Sequence, residues 1–145
     1  MTTEITVLTL EEHFTYLTDA VAIARAAPLS ARKAMLAAML VDAWPDRAFA
    51  EGHTGAEDVL AYRAALAAKS EALALVFALC TLGENRPLLV TDAVEVPIAE
   101  YHLLSVQDYM VSLYNHNSVQ RVRIAVGEAR HDVHEVLAAA VAALR

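Results

Sequence analysis

Apolar residues recur along this chain with two different periods, and the change from one to the other predicts its layout. From Leu10 the positions Phe14, Leu17, Val21 and Ala24 follow at spacings of four and three, which is one face of a helix. Thr9 stands three residues before Glu12, a capping-box spacing. Pro28 ends the segment, because the residue before a proline is pushed out of the α region. Ser30 can cap a second helix with Met35, Leu36, Met39, Leu40 and Ala43 on a wide apolar face, and Trp44-Pro45-Asp46 is expected to break it. Thr54 and Glu57 repeat the capping-box spacing and open the longest predicted helix, roughly Gly55 to Leu82, with Gly83 as its stop. Its second half, Ala72 to Cys80, has no polar face. Leu75, Val76, Phe77 and Leu79 are therefore expected at the centre of the fold.

A period of two appears elsewhere. Ile5 and Val7 alternate near the start, Val94 and Val96 flank Glu95, and Val122, Ile124 and Val126 share one strand face while Arg121 and Arg123 share the other. Between the last two segments, Ser105 and Asp108 start a short helix with Val106, Tyr109, Met110, Leu113 and Tyr114 on one stripe, stopped by Asn115-His116-Asn117. A turn at Gly127-Glu128 leads to Asp132, an N-cap with Glu135 three residues on. The final helix carries Val133, Val136, Leu137, Ala140, Val141 and Leu144 on one face. The expected fold is α+β and predominantly α-helical, with four to five helices packed on a small sheet of about three short strands near residues 3–8, 88–96 and 119–126. The alternative is an all-α bundle in which those segments are merely extended. No repeat or linker divides the chain, so residues 1–145 read as a single domain.

Composition supports the division. Thirty residues are alanine, and between Gly83 and Ile124 only Ala93 and Ala99 occur. Alanine favours helix, whereas the Val, Ile, Thr and Tyr of the alanine-poor stretch favour strands and their flanks. Hydrophobic residues make up 57% of the chain and charged residues 20%, the opposite of a disordered composition. The mean hydropathy of +0.39 comes largely from alanine. The longest clean apolar run, Ala72 to Cys80, is far short of the ~20 residues of a membrane span. The Met-Thr-Thr-Glu-Ile start has neither a basic nor an apolar leader region, and the single Cys80 allows no disulfide within the chain, so a cytoplasmic protein is expected. The net charge of −7 is spread over both halves, with ten acids and six bases in residues 1–82 and eight and five in the rest. Without a cationic cluster, neither nucleic acid nor an anionic membrane is an expected partner.

Candidate chemistry is sparse. Tyr114, Asn115, His116 and Asn117 lead into the Arg121/Arg123 face, and these donors suit a small anion such as a carboxylate or phosphate. The simpler account is that Asn tolerates the left-handed conformation of a helix stop and that alternating Arg is a solvated strand face. Glu128, His131 and His134 have the three-residue spacing of a metal-binding helix, but Asp132 as N-cap places Glu128 and His131 outside it, so no metal is expected. Cys80 lies in apolar surroundings where a thiol stays protonated, and the four glycines form no phosphate-cradling loop. No catalytic residue and no cofactor are assigned. Met35 and Met39 lie one turn apart beside Trp44, residue types suited to an interface. The leading expectation is a non-catalytic protein-interaction or regulatory module, a homodimer built from helices through Met35, Met39 and Trp44 or the alanine-rich last helix. The rival is an anion- or metal-binding protein, with enzymatic activity left open, centred on Tyr114–Arg123.

Overall fold

The computed structural model describes residues 8–52 and 54–145. Its described residues form an α+β fold dominated by helix: α1 (Leu10–Ala26), α2 (Ala31–Ala50), α3 (Val59–Lys69), α4 (Glu71–Cys80), β1 (Leu88–Glu95), a 3-10 segment (Ile98–Leu103), α5 (Val106–Tyr114), β2 (Ser118–Val126), β3 (Ala129–Asp132) and α6 (Val133–Ala143). The expected strand near residues 3–8 lies outside the described residues except for Leu8. The third strand is instead β3, which follows β2 through the Gly127 turn, where φ is +58°. The sheet is antiparallel in the order β1-β2-β3.

Capping chemistry explains the helix starts. Thr9 and Glu12 form the expected capping box, and Ser30, Ser105 and Asp132 each accept from the first turn they open. Two expectations are corrected. The helix predicted from Gly55 to Leu82 is two helices, and the first is opened by Asp58 rather than by Thr54 and Glu57. Ser70 divides them in an extended conformation. Its N–H donates to the Leu66 carbonyl at 3.0 Å, and its hydroxyl accepts from the Leu73 N–H at 3.2 Å. One serine thus closes α3 and caps α4.

The second correction is Pro45, which does not end α2. A proline inside a helix removes one N–H and its ring presses on the carbonyl four residues earlier, here Val41. The neighbouring carbonyls are taken by side chains from adjacent helices. His13 Nε2 donates to the Leu40 carbonyl at 2.8 Å, and Arg63 Nη1 donates to the Asp42 carbonyl at 2.7 Å. Pro45 itself is buried, so tertiary packing holds this turn in place.

α4 runs between α2, α3 and α6, as its all-round apolar sequence implies. Val76, Phe77 and Leu79 are buried there, while Leu75 is half-buried. They join Leu17, Val41, Ile124 and Leu137 in one core. Leu89, Val122 and Ile124 put one face of the sheet against that core.

Candidate functional site

The β1–β2 register sets Asp92 opposite Arg121 and Val90 opposite Arg123, and the β2–β3 register sets Asp132 opposite Arg123 and Arg130 opposite Ala125. Residues directly opposite share a face, so three guanidinium groups stand on the side of the sheet turned away from the core. Arg121 pairs with Asp108 of α5 at 3.1 Å, and Arg123 and Arg130 each approach Asp92 at 3.7 Å. Arg123 also donates to the Arg130 carbonyl at 3.2 Å. The three arginines floor an open cleft of about 520 Å³, with Glu95, Glu100, Asp132 and Glu135 around it. The acids outnumber the arginines, so the cleft offers no excess of positive charge to an anion.

Of the six residues expected to meet an anion, the structure brings Arg121 and Arg123 into this cleft and leaves the other four outside. Tyr114 ends α5 and is 82% exposed. Asn115 caps the helix, and His116 and Asn117 take left-handed conformations with φ of +53° and +61°. The Asn117 N–H closes on the Ser112 carbonyl at 2.9 Å, and its carbonyl accepts from Val96 N–H at 2.8 Å. The Asn-His-Asn segment is therefore a helix stop that delivers the chain into β2. Arg130, Asp92 and Asp108 were not legible as partners, because only the strand register and the placement of α5 bring them to the two arginines.

The histidines are dispersed. Glu128 sits in the β2–β3 turn and His131 on β3 opposite Ile124, while His134 is buried with Nε2 3.5 Å from the Pro28 carbonyl. Among the described residues no three His, Cys, Asp or Glu side chains gather closely enough to hold a metal ion. Cys80 is half-buried. Burial and the nearby Asp42 carboxylate push its thiol up to about 11, against a smaller opposing effect of Arg63.

Apolar surface is the stronger signal. Of the nine residues of α5, Ser112 alone is buried, its hydroxyl donating to the Tyr109 carbonyl at 2.7 Å. Val106 is 81% exposed and Met110 and Leu113 about half, and Ile98 and Leu103 of the preceding 3-10 segment are 76% and 72% exposed. On α2, Trp44 lies in the core and Met35 is half-buried, but Met39 is 52% exposed. Met39 and Leu36 line a groove of about 550 Å³ with Ala20 and Ile23 of α1. On α6, Ala138, Ala139 and Ala142 face outward, while Val136, Leu137 and Ala140 are buried. No helix among the described residues is long and apolar enough to cross a membrane. No family model matches the chain, and no curated protein or solved structure matches it either.

Proposed function

We propose that this protein is a non-catalytic interaction module that takes a partner protein on the face formed by the 3-10 segment and α5. The observation that carries the reading is the inversion of α5, which buries one serine and turns valine, methionine, leucine and tyrosine to solvent. A surface helix of a self-contained domain does the reverse. Eight large apolar side chains between Ile98 and Tyr114 are exposed. At ~200 Å² for a large side chain, they present roughly 1,000 Å², enough for the ~800 Å² that one partner contributes to a standard interface. The one acid in the middle of α5, Asp108, is paired with Arg121. The partner that fits is thus a folded protein with an uncharged apolar patch of similar area.

The test uses the double variant Val106→Ser, Leu113→Ser. Expected is a loss of hydrophobic-dye fluorescence with an unchanged melting temperature. A photo-crosslinker at position 110 should give a discrete adduct with a different protein in the wild type and none in the variant. A large fall in melting temperature would show these side chains to be packed in the protein's own core. Adducts between two copies of this chain alone would overturn the separate-partner reading.

A further inference from the structure

We infer that the outer face of the α1–α2 hairpin is a homodimer interface, on which a second copy packs antiparallel across a two-fold axis at Met39. This face is separate from the α5 surface, and the two readings stand or fall independently. The solvent-facing positions of α2 before its last turn are Arg32, Leu36, Met39, Ala43 and Asp46. Their spacings of four, three, four and three average 3.5 residues, the repeat of a helix seam that faces another helix. In a helix with no partner on that side these positions are polar. Here a cation and an anion bracket three apolar residues.

That stripe is complementary to itself when inverted. Arg32 and Asp46 each lie seven residues from Met39, about 10 Å along the axis in either direction. A two-fold axis at Met39 therefore sets Arg32 opposite the partner's Asp46 at both ends, as an isologous contact requires. It also sets Leu36 against the partner's Ala43, large against small, and the two Met39 side chains against each other, where methionine adapts to fill the gap. Parallel pairing would oppose Arg32 to Arg32 and Asp46 to Asp46, so charge selects the antiparallel arrangement. Asp46 already meets Arg63 of its own chain at 3.2 Å through one carboxylate oxygen, and its side chain remains 62% exposed.

α1 widens the surface. Ile23 lines the same groove as Leu36 and Met39, Tyr16 lies on α1 one turn before Ala20 of that groove, and both are about half exposed. Tyr16, Ile23, Leu36 and Met39 offer about 400 Å² at ~200 Å² for a large side chain, and the aliphatic stems of Arg32 and Lys33 extend it towards the ~800 Å² that each copy needs in a standard interface.

Light scattering or sedimentation across micromolar concentrations should report a mass approaching twice 15.7 kDa at the upper end. Met39→Asp should give the mass of one chain throughout, with a melting curve that matches that of the wild type at concentrations low enough to dissociate it, because Met39 is half exposed. Arg32→Glu and Asp46→Lys separately should each weaken dimerisation roughly tenfold, since each puts like charges at both ends. An equimolar mixture of the two should recover affinity near the wild type, because opposite charges then meet at each end of the mixed dimer. Recovery on mixing also separates an interface effect from a folding defect, which mixing cannot cure. A single-chain mass for the wild type, a dimer indifferent to Met39→Asp, or no recovery on mixing would each overturn the assignment.

Discussion

Arg63 is expected to be the most consequential charged side chain in the helical half, and Arg63→Met isolates its charge while keeping most of its length. The guanidinium donates to the Asp42 carbonyl at 2.7 Å, pairs with the Asp42 carboxylate, reaches Asp46 at 3.2 Å and sits 4.3 Å over the Phe77 ring. Loss of a charge-assisted hydrogen bond to a partly buried carbonyl costs about 1–2 kcal/mol. The ion pairs are partly solvated, with side-chain exposures of 20% for Arg63 and 28% for Asp42, and contribute about 1 kcal/mol. The contact with Phe77 adds about 0.5–1 kcal/mol. The sum predicts a loss near 3 kcal/mol, or a fall of roughly 6–12 °C in Tm for a chain of this size.

Urea unfolding followed by circular dichroism measures the loss directly, provided the slope m stays constant. A loss under ~1 kcal/mol would refute this account of the Arg63 contacts.

Phe77→Ala should destabilise by about 3–5 kcal/mol, read from the urea midpoint, because Phe77 is buried in the central helix. An unchanged midpoint would move the centre of the fold elsewhere. Thr9→Ala should cost about 1 kcal/mol by the same assay, since the Thr9 hydroxyl accepts from Glu12 N–H at 3.1 Å. Cys80 should react with a thiol reagent at pH 8 far more slowly in the native state than in urea, its thiol lying at about 11 against an ordinary 9.0. Between those values the unfolded chain has lost the proton and the folded chain keeps it. The group's contribution to stability is intact below pH 9 and is lost as pH rises towards 11, a trend that Tyr62, also raised by burial, reinforces. A Cys80→Ala variant with an equally steep alkaline fall would assign that trend to other groups.

Helix faces and caps were legible because they depend on residues three or four apart. Thr9 with Glu12 and Ser105 with Asp108 behave as their spacing implies. The misreadings occur where distant residues override a local rule. Pro45 reads as a helix breaker, but burial of the ring and donors from His13 and Arg63, 27 residues before Leu40 and 21 after Asp42, to the carbonyls beside Val41 tie that turn to its neighbours. Ser70 is invisible as a break within an alanine-rich run, since helix-to-helix division here needs neither glycine nor proline. β3 is only four residues long and carries Arg, His and Asp, so its strand character comes from pairing with β2 rather than from its own composition. The charged cleft was half legible. The period of two put Arg121 and Arg123 on one face, but their carboxylate partners come from strand register and from α5.

The alanine content connects the core to the surfaces proposed for contact. Ala24, Ala34, Ala37, Ala38, Ala48 and Ala140 are all fully buried. A helix face lined with alanine lets its neighbour approach closely, so the interior between α1, α2 and α6 fills with few bulky side chains. On α2 the consequence is specific. Its inward stripe is Ala34, Ala37, Ala38, Val41, Trp44, Pro45 and Ala48, in which Trp44 alone is large, whereas Leu36 and Met39 point outward. Exchanging the two sets would overpack the close contact with α1, which costs about 1–3 kcal/mol for each poorly fitting side chain. Small residues inside and large apolar residues outside are thus one arrangement seen from two sides. The interior filled by alanine leaves the larger apolar side chains of the hairpin and of α5 facing solvent, and on that surplus both proposed contacts rest.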